Sequence, residues 1–185
     1  MKVLPCILVV VLFFCGCGAT SSELDSAMEL RQKILTASCS FTTEVTADYG
    51  DEIYCFRMDC NTDTAGNMTF TVVEPASIAG ITGEISTDFA RLTFDGTVLS
   101  FPPLTEGKLS PVTAPWIFMK TLRSGYLSGC GKDGEGLRIF AADSYDDNAL
   151  QLSILTDAAT IPVQADIFWN QQRILTLQIS DFVIL

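Results

Sequence analysis

Apolar and polar residues alternate with a period of two over most of this chain, and that alternation predicts strands that bury one face. Phe41, Thr43, Val45 and Ala47 alternate with Thr42, Glu44, Thr46 and Asp48. Tyr54, Phe56 and Met58 alternate with Ile53, Cys55 and Arg57. Asp48-Tyr49-Gly50-Asp51 lies between the two runs, and a two-residue loop at Tyr49-Gly50 makes them a hairpin. That loop sets Val45 opposite Tyr54, Thr43 opposite Phe56 and Phe41 opposite Met58, all on one apolar face. The same register puts Cys39 opposite Cys60 in a non-hydrogen-bonded pair, a Cα separation of about 4.5 Å that a disulfide tolerates. A Cys39–Cys60 bridge is therefore the expectation, against two buried free thiols.

Further strands are predicted over Asn67 to Val73, with Met68, Phe70 and Val72 on one face, and more weakly over Ile78 to Ile85, which Gly80 and Gly83 interrupt. Ala90 to Phe94 and Thr97 to Phe101 flank Asp95-Gly96, a strong hairpin signal, and Pro102-Pro103 stops the second strand. Four more strands are predicted at Leu137 to Ala142, Ala149 to Leu155, Ile161 to Trp169 and Arg173 to Phe182. A three-residue loop at Asn170 to Gln172 sets Ile167 opposite Leu175, Ala165 opposite Leu177 and Val163 opposite Ile179.

Two segments break the period. Ser22 to about Ala37 reads as a helix, with Ser22 and Asp25 placed as in a capping box and Arg31 and Lys33 late, where they suit the helix dipole. Its predicted buried face is Leu24, Ala27, Met28 and Leu35 with the stem of Arg31. Pro111 to Tyr126 reads as a second helix, opened by Pro111 or Pro115 and apolar on nearly every side apart from Lys120 and Arg123. The sum is a mainly β, α+β chain: a curved antiparallel half-barrel of about nine or ten strands, with an N-terminal helix and the second, apolar helix as a lid over the concave face.

Residues 1–16 follow another rule. Lys2 is followed by apolar residues from Val3 to Phe14, and Phe14-Cys15-Gly16-Cys17 closes the run. Basic, apolar and small residues in that order make an export signal. The run is shorter than the roughly 20 residues of a membrane span. An apolar residue, two small ones and a cysteine resemble the bacterial lipobox. That resemblance implies that Cys17 carries a diacylglycerol and begins the mature protein. The expected organisation is a lipoprotein signal peptide over 1–16, a lipidated tether over 17–21, and one domain over 22–185 at the extracytoplasmic face of the cell membrane.

Charge and composition narrow the chemistry. The chain has 11 basic and 22 acidic residues, a net charge of −11. Such a surface argues against nucleic acid as a partner, because contacts to nucleic-acid phosphates need Lys and Arg. There is no histidine, which removes His-based triads, His-ligated zinc and His general bases. Cys39, Cys55, Cys60 and Cys130 lie beyond the signal and none is in a Cys-x-x-Cys pair. Asp59-Cys60-Asn61-Thr62-Asp63 begins like a calcium loop, but its glycine is displaced to Gly66 and Phe70 stands where a glutamate is required, so it reads as a polar turn. Ser128 lacks a nucleophile elbow. No catalytic residue, cofactor or metal is expected.

The order of elements resembles the lipoprotein-carrier fold of LolA, LolB and RseB. The stretches that carry the likeness are the Phe41–Asp59 hairpin, Phe70-Thr71-Val72-Val73-Glu74-Pro75, Ile78-Ala79-Gly80-Ile81, Leu92-Thr93-Phe94-Asp95-Gly96, and the late helix followed by paired strands. Over Glu23 to Leu185 the resemblance implies an unclosed antiparallel barrel with a helical lid, whose cavity holds acyl chains or lipoprotein or whose surface binds a partner protein. Arg57 and Arg91 are expected to face outward. Trp116, Phe118 and Met119, with Phe94, Phe101, Phe140 and Trp169, are the candidate cavity lining, against the simpler role of filling the core. The expected partners are the membrane through the N-terminal lipid, a lipid or lipidated-peptide ligand, and alternatively an envelope protein bound by a sensing module.

Overall fold

The computed structural model describes residues 21–50, 52–103, 109–146 and 149–185. The expected signal peptide over 1–16 and the expected lipidation site Cys17 lie outside the described residues. Helix α1 (Ser21–Thr36) leads into strands β1 (Cys39–Asp48), β2 (Ile53–Thr62), β3 (Met68–Glu74), β4 (Thr82–Ile85), β5 (Ala90–Phe94) and β6 (Thr97–Phe101). A 3-10 turn (Pro111–Thr113) opens helix α2 (Ala114–Ser124), and β7 (Tyr126–Asp133), β8 (Gly136–Ala142), β9 (Gln151–Thr156), β10 (Pro162–Trp169) and β11 (Gln172–Ile184) follow.

All strands join one antiparallel sheet of 11, ordered β6-β5-β4-β3-β2-β1-β11-β10-β9-β8-β7. The first and last of the described strands pair at its centre, and β6 and β7 are its edges among the described residues. This open sheet with two helices on its inner face is the architecture that the likeness to LolA, LolB and RseB implies. One face carries the core: Phe41, Val45, Met58, Met68, Phe70, Ile139, Ile154, Ile167 and Leu177 are buried, at alternate positions of their strands. No helix among the described residues is long and apolar enough to cross a membrane.

The β5–β6 hairpin turns at Asp95-Gly96 as expected, with φ of 46° and 74°, so both central residues take the left-handed conformation of a tight hairpin. At the β10–β11 turn the expected pairs Ile167–Leu175 and Ala165–Leu177 are present. They arise differently, from a two-residue Asn170-Gln171 turn and a bulge at Ile167/Phe168, which together give the offset of a three-residue loop.

The β1–β2 register differs from the expected one by two residues. Val45 pairs with Phe56, Phe41 with Cys60, and Cys39 with Thr62. The loop is longer because Tyr49 N–H donates to Glu52 O, and the Asp48 carboxylate accepts from Gly50 N–H. A shift of two keeps every side chain on its face but changes its partner. Cys39 and Cys60 become diagonal neighbours, a relation with Cα atoms about 7–8 Å apart, at the edge of what a disulfide spans. Both are free thiols, and the expected bridge is absent. Burial raises the Cys39 and Cys60 thiol pKa values, and the Asp59 charge adds to the rise at Cys60.

Two further corrections follow from packing. Helix α1 buries Ala27, Leu30 and Ile34, while Leu24, Met28 and Leu35 are exposed. It is helical from Ser21, so Ser22 lies inside its first turn. Strand β7 was hidden by Ser128, Gly129 and Gly131, whose lack of apolar alternation gives no strand signal. Gly83, by contrast, does not weaken β4. It pairs directly with Phe70, and a Cβ there would lie 2.2 Å from the Phe70 ring. The aromatic ring fills the space the glycine leaves.

Two outcomes test this arrangement. Gly83→Ala displaces the Phe70 ring and destabilises the domain by about 1–3 kcal/mol in urea unfolding. Iodoacetamide applied to the native protein modifies exposed Cys55 and reaches Cys39 and Cys60 only after unfolding. A Cys39–Cys60 linked peptide in a non-reducing digest would overturn the observed register.

Candidate functional site: a latched lid over an apolar face

Helix α2 is short and buried on nearly all sides: Ala114 to Met119, Thr121, Leu122 and Arg123 are all buried. Pro111 opens the 3-10 turn and Pro115 sits in the first helical turn, where a missing N–H costs nothing. The helix stops at Gly125, which is extended. A Cβ there would meet Ala142 O at 2.6 Å, so the close approach of helix end and β8 requires glycine. The helix therefore ends before Tyr126, where β7 begins.

The lid is fixed by two arginines that sequence inspection did not single out for this role. Arg123 of α2 donates to Ile34 O (3.2 Å) and Leu35 O (3.5 Å), carbonyls in the last turn of α1. It also donates to Asp63 O (3.2 Å) and Thr64 O (2.6 Å) in the β2–β3 turn. Arg31 of α1 donates to Leu122 O (2.8 Å) and Thr121 O (3.3 Å), at the C-terminal end of α2. Each helix thus supplies a cation to carbonyls in the other's last turn and opposes its dipole, with Thr121 O also accepting from Gly125 N–H (2.8 Å). Burial lowers the Arg31 pKa. Trp116 Nε1 donates to Gly66 O (3.2 Å), so the same β2–β3 turn holds both a tryptophan and an arginine of the lid.

The segment with calcium-loop spacing is not the polar turn expected of it: Asp59 to Thr62 end strand β2, with Cys60 and Thr62 buried, and only Asp63 lies in the turn. The Asp63 carboxylate accepts from Asn67 N (2.9 Å) and Nδ2 (2.8 Å). Slight burial favours its neutral form, but hydrogen bonds from Asn67, Ala65 and Gly66 outweigh it and lower its pKa. Among the described residues, no group of three or more His, Cys, Asp or Glu side chains could hold a metal ion.

The seven candidate lining residues do not gather in one place. Trp116, Phe118 and Met119 lie in the core under the lid, where Phe118 meets Phe41 edge-on with ring centroids 5.9 Å apart. Phe101 and Phe94 lie on the inner face of the β5–β6 hairpin. Phe101 pairs with buried Ala90, and Phe94 continues the Ala90, Leu92 row. Phe140 sits between buried Ile139 and Ala141, so it points to the outer face. Trp169 is half-buried at the end of β10. Phe140 helps line an outer cleft of about 400 Å³ with Ser128, Gly129, Gln151, Ser153 and Phe168. Arg57 and Arg91 face outward, paired with Glu74 and Glu84.

The lid does not reach every part of the inner face. Helix α2 packs against β8, β10 and β11, α1 packs against α2, β7 and β8, and the 3-10 turn packs against β1. Toward the β5–β6 turn the inner row comes out from under the helices: Ala90 is buried, Leu92 is partly buried, and Phe94 is 49% exposed. Leu99, directly opposite Leu92, is 60% exposed. Leu92, Phe94, Leu99 and Phe101 thus form an apolar patch continuous with the core. Leu92 and Leu99 are the two members not singled out from sequence, although the alternation on either side of Asp95-Gly96 carries their signal.

No protein-family model matches the sequence, and no curated protein matches it. Several solved structures are similar in fold. An uncharacterized conserved protein from Thermus thermophilus is 14% identical, with 88% of this chain and 87% of that one covered and a TM-score of 0.49. A LolA superfamily protein from Nitrosomonas europaea is 10% identical, with 86% and 93% covered and a TM-score of 0.48. The Mycobacterium tuberculosis lipoprotein LppX is 15% identical, with 87% and 93% covered and a TM-score of 0.41.

The latch makes two measurable predictions. Arg123→Met strands buried carbonyls in two elements and costs about 3 kcal/mol or more in urea unfolding, whereas Arg31→Met, at a more exposed site, costs about 1–2 kcal/mol. The lowered Asp63 pKa stabilises the fold fully above the unfolded value of about 4, and that contribution is lost as pH falls through the folded value. Asp63→Asn therefore flattens the acid side of the stability–pH curve.

Proposed function

We propose that this chain is a non-catalytic, membrane-anchored protein of the extracytoplasmic face that binds a hydrophobic ligand, an acyl chain or a lipidated peptide. The ligand lies on the inner face of the sheet at the β5–β6 hairpin and reaches toward the lid. One observation carries this reading: the apolar inner face runs past its helical cover and leaves Leu99 60% and Phe94 49% exposed, contiguous with the core. An exposed apolar patch joined to a concave core is the usual form of a hydrophobic site. The lipobox-like Phe14 to Cys17 segment supports the anchor.

A second reading is favoured by the edge of the same hairpin. Strand β6, Thr97-Val98-Leu99-Ser100-Phe101, is uncharged and is an unjoined edge among the described strands. An incoming strand of an envelope protein would extend the sheet there.

Native mass spectrometry after exposure to a membrane lipid extract separates the two. The first reading expects one retained acyl ligand per chain. It also expects Phe94→Asp with Leu99→Asp to reduce retention at least tenfold, with stability changed by no more than about 0.5 kcal/mol because both positions are exposed. An apo mass in both proteins would remove the ligand reading and direct the search to protein partners.

A further inference from the structure

Helix α1 carries two apolar stripes, and the fold uses one. Ala27, Leu30 and Ile34 face the core. Leu24, Met28 and Leu35 lie along the adjoining flank, 43%, 47% and 40% exposed. At 100° per residue they fall within a narrow sector, next to Arg31 and roughly a quarter turn from the buried face. The remaining surface is polar, with Asp25, Glu29, Gln32 and Lys33 exposed and Lys33 paired to Glu29 at 2.9 Å.

The chain before α1 says what meets this flank. Cys17 is four residues before Ser21. A fully extended chain spans at most about 3.6 Å per residue, so the lipid-bearing residue and the first turn of α1 are no more than about 14 Å apart. We propose that the Leu24, Met28 and Leu35 flank of α1 rests in the headgroup region of the bilayer that holds the Cys17 acyl chains. In-plane helices sink an apolar flank about 5–10 Å into that region, and because one acyl chain alone binds only marginally, such a flank acts as an added membrane signal beside the Cys17 lipid. The acidic residues on the neighbouring flank suit a neutral bilayer better than an anionic one. The inference rests on the anchored reading given above.

The test uses the full chain, processed in a bacterial host and reconstituted into phosphatidylcholine vesicles. Mass analysis of the N-terminal peptide first establishes the acyl groups on Cys17. Nitroxide labels are then placed through Leu24→Cys, Met28→Cys and, as the polar-flank control, Gln32→Cys. All are made in a Cys55→Ser background, because Cys55 is exposed. The expected result is a gain in oxygen contact and a loss of contact with a water-soluble nickel complex at 24 and 28, with the reverse at 32. Missing acyl mass would overturn the anchor and with it the seating. Acylated protein with labels at 24 and 28 in water would overturn the seating alone. Labels shielded from both reagents in a dimeric protein would assign the flank to a second copy of the chain and equally overturn it.

Discussion

The exchange of arginines between the two helices is the constraint on which the rest of the inner face depends. A helix that ends inside a curved sheet leaves carbonyls where water does not easily reach, and each unsatisfied one costs about 1–3 kcal/mol. Here the C-terminal ends of α1 and α2 are close enough that Arg31 serves one and Arg123 the other. Neither helix can shift alone without stranding the carbonyls its partner covers. Arg123 also binds the β2–β3 turn, so the pair is tied to the sheet as well as to itself.

A lid held this way has a fixed reach. Helix α2 has 11 residues, about 16 Å at 1.5 Å per residue. An 11-stranded sheet with strands about 4.8 Å apart spans about 48 Å across its strands. The two helices leave one part of it uncovered, as the exposure of Phe94 and Leu99 shows. They are placed over the centre and the β7–β8 end, where the large side chains Phe118, Met119, Ile139 and Ile154 fill the space beneath them. The opposite end, at the β5–β6 turn, is left apolar and open. The patch is thus a geometric consequence of where the lid is latched.

What the sequence made legible was parity, and what it hid was distance. Alternation assigned Phe41, Val45, Phe56 and Met58 to the inner face correctly, because a period of two survives a two-residue slip. The identity of the partner did not survive it, and the Cys39–Cys60 bridge depended on partner identity. Loop length decides that, and it turned on the Tyr49–Glu52 hydrogen bond, which no composition rule reports. In α1, Leu24, Met28 and Leu35 and the Ala27, Leu30, Ile34 set are both apolar stripes, and only the shape of the sheet chooses between them. Strand β7 gave no signal because glycines at 129 and 131 pack by backbone rather than side chain. The latch was least legible, since Arg123 and Ile34 are 89 residues apart. On the candidate lining, aromatic character was a guide to burial but not to face: Phe94 and Phe140 are both large and half-exposed, on opposite sides of the sheet.

The pairing of the arginines limits what a ligand of the proposed kind could present to this protein. Arg123 and Arg31 are spent on backbone carbonyls, and Arg57, Arg91, Arg138 and Arg173 pair with Glu74, Glu84, Asp133 and Asp166. Lys120 lies over the Trp116 ring, 5.3 Å from its centroid. An acidic headgroup entering the β5–β6 patch would therefore displace an existing partner to find a guanidinium, in a chain whose net charge is already −11. Leu92, Phe94, Leu99 and Phe101 offer only apolar contact. Selection at such a site falls on the length and shape of the hydrocarbon, with the head left in water. Chain-length dependence with little dependence on headgroup is the pattern this arrangement dictates.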